Sequence, residues 1–282
     1  MTPPVIFSTG SLYVLDTAQC FALAAEAGFD GIEIMCDERY GTRDPQYLRD
    51  LSQQHGLPVR VAHTPFRPNL PGWRARDMVG LIGETLALAE ALGCEAIVVH
   101  LPIKVNYFAF GGNGRRYYVP LPTLNNPLKR WLERELPAMQ RSTPIKIALE
   151  NLPVKRLAGR VVDLTHWNTV AAWSQAHDHL TMDTTHWATR GVDPLAAYQA
   201  GRGRICHVHL SNFDGREHRL PHRGQLDLGG LLQTMAADGF DGTICLELHP
   251  DALDYQDRAA LRRNLRESLL FCRQHLGQPV EA

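Results

Sequence analysis

Short apolar runs bounded by glycine, proline or charge alternate along this chain with longer stretches whose apolar positions recur every three or four residues. The short runs predict strands at residues 5–7, 31–35, 59–63, 96–101, 145–150, 180–183, 205–210 and 243–248. The longer stretches predict helices at 16–27, with Asp16 as cap, then at 45–55, 74–92, 127–141, 165–177, 194–201, 228–238 and 255–276, with Gly28, Gly56 and Gly93 as stops. Eight strands alternating with eight helices, over a length near ~250 residues, predict an α/β chain folded as a single (β/α)8 barrel. A doubly wound open sheet is the alternative arrangement of the same alternation.

In such a barrel the functional residues gather at the C-terminal ends of the strands. Those ends carry an unusual set here: Glu33, His63, His100, Glu150, Asp183 with His186 just after it, His209, and Glu247. His207 and His209 share one face of their strand, because successive side chains point to opposite faces, and His207 lies one layer deeper. Carboxylates at the mouth of an apolar barrel cost several kcal/mol each unless a cation or a paired group compensates. Imidazole and carboxylate from different strands can surround a divalent ion, so Glu150, Asp183, His209 and Glu247 are expected to hold one, with His63, His100 and His186 as further ligands or substrate contacts. Singly, each of these could equally be a hydrogen-bonded group closing the barrel end.

Residues 102–124 are too long for an ordinary strand-to-helix loop and rich in glycine and aromatic residues. They could form a lid in which Arg115 or Arg116 meets an anionic group, or a packing element. Trp73 and Trp187, after the third and sixth strands, could line the site with an apolar wall. His218, His222 and His249 fall in site-facing loops.

Charge narrows the partners. With 29 Lys and Arg against 30 Asp and Glu, the chain has no basic excess for holding a polyanion, so nucleic acid is not an expected partner. No apolar run approaches the ~20 residues of a membrane span, and the start of the chain lacks a signal pattern, so a cytoplasmic protein is expected. Its 6 cysteines contain no C-x-x-C pair and read as buried, reduced thiols.

The motifs Ile-Ala-Leu-Glu150-Asn, Met-Asp183-Thr-Thr-His186, His-Val-His209-Leu-Ser and Leu-Glu247-Leu resemble those of the xylose isomerase-like TIM-barrel superfamily over nearly the whole chain. That superfamily holds sugar isomerases and epimerases, inosose dehydratase-like enzymes and endonuclease IV-type apurinic-site nucleases. The epimerase branch implies one Mn²⁺, Mg²⁺ or Co²⁺ on Glu150, Asp183, His209 and Glu247. In that branch Glu150 and Glu247 move the substrate proton through an enediolate, and His186 and Arg216 contact a small carbohydrate-like substrate; Glu33, His218 and Trp187 are added here as contacts. The nuclease branch implies Zn²⁺, with His63 and His100 on a second ion and His186 and His218 on a third, although Arg216 stands where that branch has an aspartate. A metal-dependent sugar isomerase or epimerase is therefore the first expectation, a multi-zinc phosphoesterase the second, and a non-catalytic ligand-binding barrel the third. Barrels of this kind often pair through their faces, which leaves a homo-oligomer open.

Overall fold

Eight short parallel strands close on themselves in the computed structural model: β1 (Val5–Ser8), β2 (Ile32–Met35), β3 (Val59–His63), β4 (Ala96–His100), β5 (Lys146–Glu150), β6 (Leu180–Asp183), β7 (Ile205–Leu210) and β8 (Thr243–Leu246). Each pairs with its successor and β8 returns to β1, so the sheet is a closed barrel and not an open doubly wound one. The structure describes residues 2–67, 69–110, 117–123, 125–157, 160–175 and 177–279.

The strands are apolar on both faces because each is covered twice. Outward side chains meet the helical layer in one large cluster that includes Phe7, Ile34, Val99, Leu149, Met182, Val208 and Leu246. Inward side chains of Ile6, Val61, Ala96, Val98 and Cys245 form a separate apolar floor inside the barrel. Two residues further along the same strands, on the same face, the floor gives way to chemistry: Val61 leads to His63, Val98 to His100 and Cys245 to Glu247.

Helices α1 (Thr17–Ala27) and α2 (Pro45–His55) run as the sequence predicts, the first closed by a reciprocal Asp16–Gln19 capping box and by Gly28 in the left-handed region. Others differ for local reasons. α3 is Met78–Leu92 and starts four residues late because the Asp77 side chain caps it. The stretch 127–141 divides into α4 (Pro127–Arg134) and α5 (Leu136–Ser142), since Pro137 opens a new helix more readily than it continues one. Of the helix expected at 165–177, only α6 (Val170–Trp173) forms, capped by Thr169 and preceded by a hairpin of Lys155–Leu157 and Arg160–Val162. α7 (Thr184–Arg190) was not expected at all. α8 (Pro194–Gly201), α9 (Leu228–Ala237) and α10 (Arg258–His275) complete the layer.

The insertion at 102–124 contributes an antiparallel pair, Val105–Phe110 with Tyr117–Pro122. Arg115 and Arg116 lie outside the described residues. All six cysteines are buried and unpaired. Among the described residues no helix is long and apolar enough to cross a membrane.

Candidate metal centre

Strand register brings the strand-end residues together. His100 stands opposite Glu150 across β4 and β5, and Asp183 opposite His209 across β6 and β7. The result is a group of four, Glu150, Asp183, His209 and Glu247, each offering a ligand atom within 4.8 Å of the others.

His209 sits at the centre. Its Nε2 is 2.9 Å from Glu33 Oε2, while its Nδ1 faces two carboxylates at once, Glu150 Oε1 at 2.9 Å and Glu247 Oε2 at 3.0 Å. A neutral imidazole carries one N–H, and the buried Glu33 takes it as acceptor. The Nδ1 lone pair would then oppose two anions, an arrangement that needs either a proton or a cation between them. In the metal-free protein the proton wins. Burial alone would lower the His209 pKa, but Glu247, Glu33 and Glu150 raise it well above the usual histidine range. Burial likewise pushes the three carboxyls up, and the histidines around them overcome it: Glu33 and Glu150 fall well below the ordinary range and Glu247 drops to about 2.

His63 repeats the pattern. Its Nδ1 donates to the Thr64 carbonyl at 2.7 Å, which turns Nε2 toward Glu150 Oε2 at 3.2 Å. His100 Nε2 approaches the same oxygen at 3.1 Å. Burial opposes the charged form of both rings; at His63 the bond to Glu150 prevails and raises its pKa, whereas at His100 burial prevails and lowers it.

Asp183 explains the helix that the periodicity did not predict. Its Oδ1 accepts from the His186 backbone N–H at 2.7 Å and from Thr185 Oγ1 at 3.0 Å, so the side chain is the N-cap of α7. The cap turns the chain back over the barrel mouth and returns His186 to the site. Asp183 Oδ2 is buried and has no hydrogen-bond partner. An orphaned carboxylate oxygen beside a lone pair that faces two further carboxylates fits a divalent cation, and the donor set of one imidazole and three carboxylates suits one.

Asn151, quoted in the sequence motif without a role, fixes this corner. Its side chain accepts from the Asp183 N–H at 2.8 Å and donates to the Asp183 carbonyl at 3.0 Å, and its own carbonyl accepts from His186 Nδ1 at 2.8 Å. His186 Nε2 is thereby left toward the site, 3.7 Å from Glu217. Asp183, His186 and His218 form a third group of close donors, and His218 Nδ1 lies 3.2 Å from the Glu247 carbonyl.

Three expected substrate contacts lie elsewhere. Glu33 is fully buried one layer down, where its Oε2 also bonds His207 Nε2 at 2.7 Å, and it does not line the cavity over the donor set. Trp187 faces away from the mouth, 1 % exposed and edge-on to Trp173 in the helical layer, because α7 turns that side outward from the barrel axis. Arg216 has a side chain 72 % exposed and bonds Asp214 at 3.0 Å, two residues back in its own loop. His207 is the deeper, hydrogen-bonded residue its strand position implies, fixed on its other side by Thr243 at 2.6 Å. His222 faces Glu267, outside the centre, and Trp73 packs on the core beneath the Arg43 guanidinium.

A cavity of about 440 Å³ opens above these groups, bounded by His63, His100, Glu150, His186, Glu217 and Glu247. Phe66, which sequence reasoning passed over, leans across its edge, 61 % exposed and 4.7 Å from the His100 ring.

The xylose isomerase-like TIM barrel family model matches residues 21–275. An uncharacterised protein of Mycobacterium tuberculosis is 28 % identical over 294 residues, covering 95 % of this chain and 96 % of its own. Among solved structures, the 3-keto-D-glucoside 4-epimerase of E. coli superposes with a TM-score of 0.68 at 20 % identity, over 96 % of this chain and 99 % of that one. The D-psicose 3-epimerase of Clostridium cellulolyticum gives 0.67 at 15 % identity, over 97 % and 99 %. An AP endonuclease, family 2, of Brucella melitensis gives 0.64 at 17 % identity, over 93 % and 96 %. These likenesses extend to the fold.

Proposed function

From the premise that this chain belongs to the xylose isomerase-like TIM barrel family, we propose that it is a divalent-metal-dependent isomerase or epimerase of a small polyhydroxylated carbonyl compound. The observation that carries the reading is the set Glu150, Asp183, His209 and Glu247, whose ligand atoms lie within 4.8 Å of one another. Three carboxylates and one imidazole favour Mn²⁺, Mg²⁺ or Co²⁺ over a thiolate-seeking ion. When bound, the ion supplies positive charge that acidifies the C–H beside a substrate carbonyl.

The protein's own groups do the rest. Glu150 and Glu247 approach from β5 and from just beyond β8 and meet at His209 Nδ1. Both carboxyls stay ionised, the form that accepts a proton from carbon. One would take the proton from one face of the substrate and the other return it on the opposite face. His186 Nε2, oriented by Asn151, would hold a substrate oxygen, with Glu217 and His218 beside it. The relatives named as epimerases support this reading.

The test begins with metal content by plasma mass spectrometry on protein purified without chelator, and continues with solvent-deuterium incorporation into ketohexoses and inososes. One Mn, Mg or Co per chain with exchange at a single carbon is the expected result. Glu247→Gln should weaken ion binding and, with the ion restored by excess metal, still lose turnover by about 10²-fold or more. Intact turnover in that variant, with metal bound, would remove Glu247 from the proton path.

One observation favours a second reading, phosphoester hydrolysis on several zinc ions. His63 and His100 meet on one oxygen of Glu150, and Asp183, His186 and His218 form another donor group. Two or three zincs per chain, with cleavage of bis(4-nitrophenyl) phosphate that His63→Ala and His100→Ala abolish, would replace the epimerase reading by this one.

A further inference from the structure

The cavity above the donor set has two unlike sides. Its floor is the histidines and carboxylates of the strand ends, whereas Ile103, Leu152, Val162 and Leu164, from the loops after β4 and β5, give it an apolar wall. Backbone pairing builds that wall. The Lys104 N–H donates to the Leu164 carbonyl and the His166 N–H to the Pro102 carbonyl, which ties the two loops together. The hairpin of Lys155–Leu157 with Arg160–Val162 belongs to the second loop, and in it Lys155 stands directly opposite Val162. Residues opposite each other in an antiparallel pair present their side chains to one face, and both of these line the cavity.

Lys155 is the one lysine or arginine among the described residues that line this cavity. The charges near it are engaged with each other: Lys104 Nζ donates to the Asp163 carbonyl at 3.4 Å, and Asp163 Oδ2 pairs with Arg190 at 2.5 Å. The exposed Lys155 ammonium makes no hydrogen bond or ion pair with the described residues. An apolar wall thus presents a single uncommitted cation to whatever the donor set holds.

A larger cavity of about 680 Å³ adjoins this one, lined by Tyr13, Leu70 and the exposed Arg67, and it shares Phe66, His218 and Glu247 with the smaller. Of the donor set only Glu247 borders the larger cavity, whereas Glu150 and Glu247 both border the smaller. A substrate carbonyl approached by both glutamates therefore lies in the smaller cavity, with Lys155 and not Arg67 facing the rest of its chain.

Resting on the metal-site reading above, we propose that the substrate is a keto sugar, bound in its open-chain form, that carries an anionic group at the end remote from its carbonyl, and that Lys155 selects it. The carbonyl and the adjacent hydroxyl lie over Glu150 and Glu247, the carbon chain runs along Val162 and Leu164, and the anion meets the Lys155 ammonium. A compact ammonium with three rotatable donors suits a phosphate or a carboxylate.

The experiment is calorimetric titration of the Mn²⁺-loaded protein with D-fructose, D-fructose 6-phosphate and D-fructuronate, which differ only at C6. The phosphate, the uronate or both should bind about 5- to 10-fold more tightly than fructose, between the value of an exposed ion pair and that of a buried charge-assisted bond. Which of the two gains names the group. Lys155→Gln should bring the ratio of affinities to about one, Lys155→Arg should keep it, and Arg67→Gln should leave it as in the parent. The ratio is the readout because Lys155 lines the reaction cavity, so a general loss of binding falls on all three ligands alike. Equal affinities in the parent, no binding of any ligand at millimolar concentration, a ratio unmoved by Lys155→Gln, or one that Arg67→Gln abolishes instead overturns the proposal. Metal content is measured on the same samples: a chain that holds no divalent ion fails the metal-site reading, and one that holds the ion yet gives any of those results fails this proposal alone.

Discussion

At the scale of single residues, the site depends on which nitrogen of each histidine carries a proton. Glu33 decides this for His209. By accepting the Nε2 hydrogen it leaves Nδ1 as the lone pair at the centre of the donor set. Glu33→Gln should weaken divalent-ion binding by about 10- to 100-fold with folding little changed, since a glutamine amide can present either donor or acceptor. Titration with Mn²⁺ followed by electron paramagnetic resonance would measure it, and unchanged affinity would count against the tautomer argument. A second residue-level effect lies far from the site. His177 has a positive φ of 64° and a ring packed on Trp167, and burial lowers its pKa to about 4. The folded protein thus refuses a proton that the unfolded chain accepts near the ordinary histidine value. Stability from this group is whole above about pH 6.5 and declines as pH falls toward 4. His177→Asn, which tolerates the left-handed backbone, should recover roughly 1–3 kcal/mol at pH 4.5 relative to its own value at pH 7.5. Parallel urea curves at the two pH values give that difference, and equal slopes with pH in parent and variant would contradict it.

At the scale of elements, the strand ends were the legible part of the sequence. A period of two carries Val61 to His63 and Cys245 to Glu247 without reference to anything distant, so both strand position and inward direction follow from local pattern. The loops were less legible, because their geometry is set by side chains that bond back to the chain. Asp183 reads as a ligand in sequence, and only its Oδ1 bond to His186 N–H reveals that it also starts a helix. Arg216 matches a family position, yet Asp214 two residues away holds its guanidinium outward. The loop after β7 is held in the same way by Asn212, whose amide bonds Phe213 and Leu226 N–H and the carbonyls of Pro221 and Leu226. Gly224 lies so close that a Cβ there would stand 2.2 Å from Asn212 Oδ1. Gly224→Ala should therefore displace that side chain and cost about 1–3 kcal/mol, with hydrogen exchange at Phe213 and Leu226 accelerated. Unaltered protection of those two amides would show that the loop has another anchor.

At the scale of the whole molecule, the carboxylates gathered round His209 at the mouth of an apolar barrel make a site that exists only in the folded state of a fold that is marginally stable. An ion that binds the folded state alone stabilises it by mass action, about 2.7 kcal/mol at a hundredfold excess over its Kd. The Tm of metal-loaded protein should exceed that of chelator-treated protein by about 5–10 °C. Differential scanning calorimetry with and without EDTA reads this directly, and coincident transitions would argue that protons alone satisfy the cluster. The closed barrel also divides labour between its strands and its loops. The proton-moving and ion-holding groups on β5, β6, β7 and β8 interlock through His209, so none can be exchanged without disturbing the rest. Tyr13 on the loop after β1, and Phe66 and Leu70 together on the loop after β3, by contrast make no hydrogen bond or ion pair with that cluster. A lineage, or a mutagenesis library, confined to those loops can therefore explore new substrates while inheriting its chemistry intact.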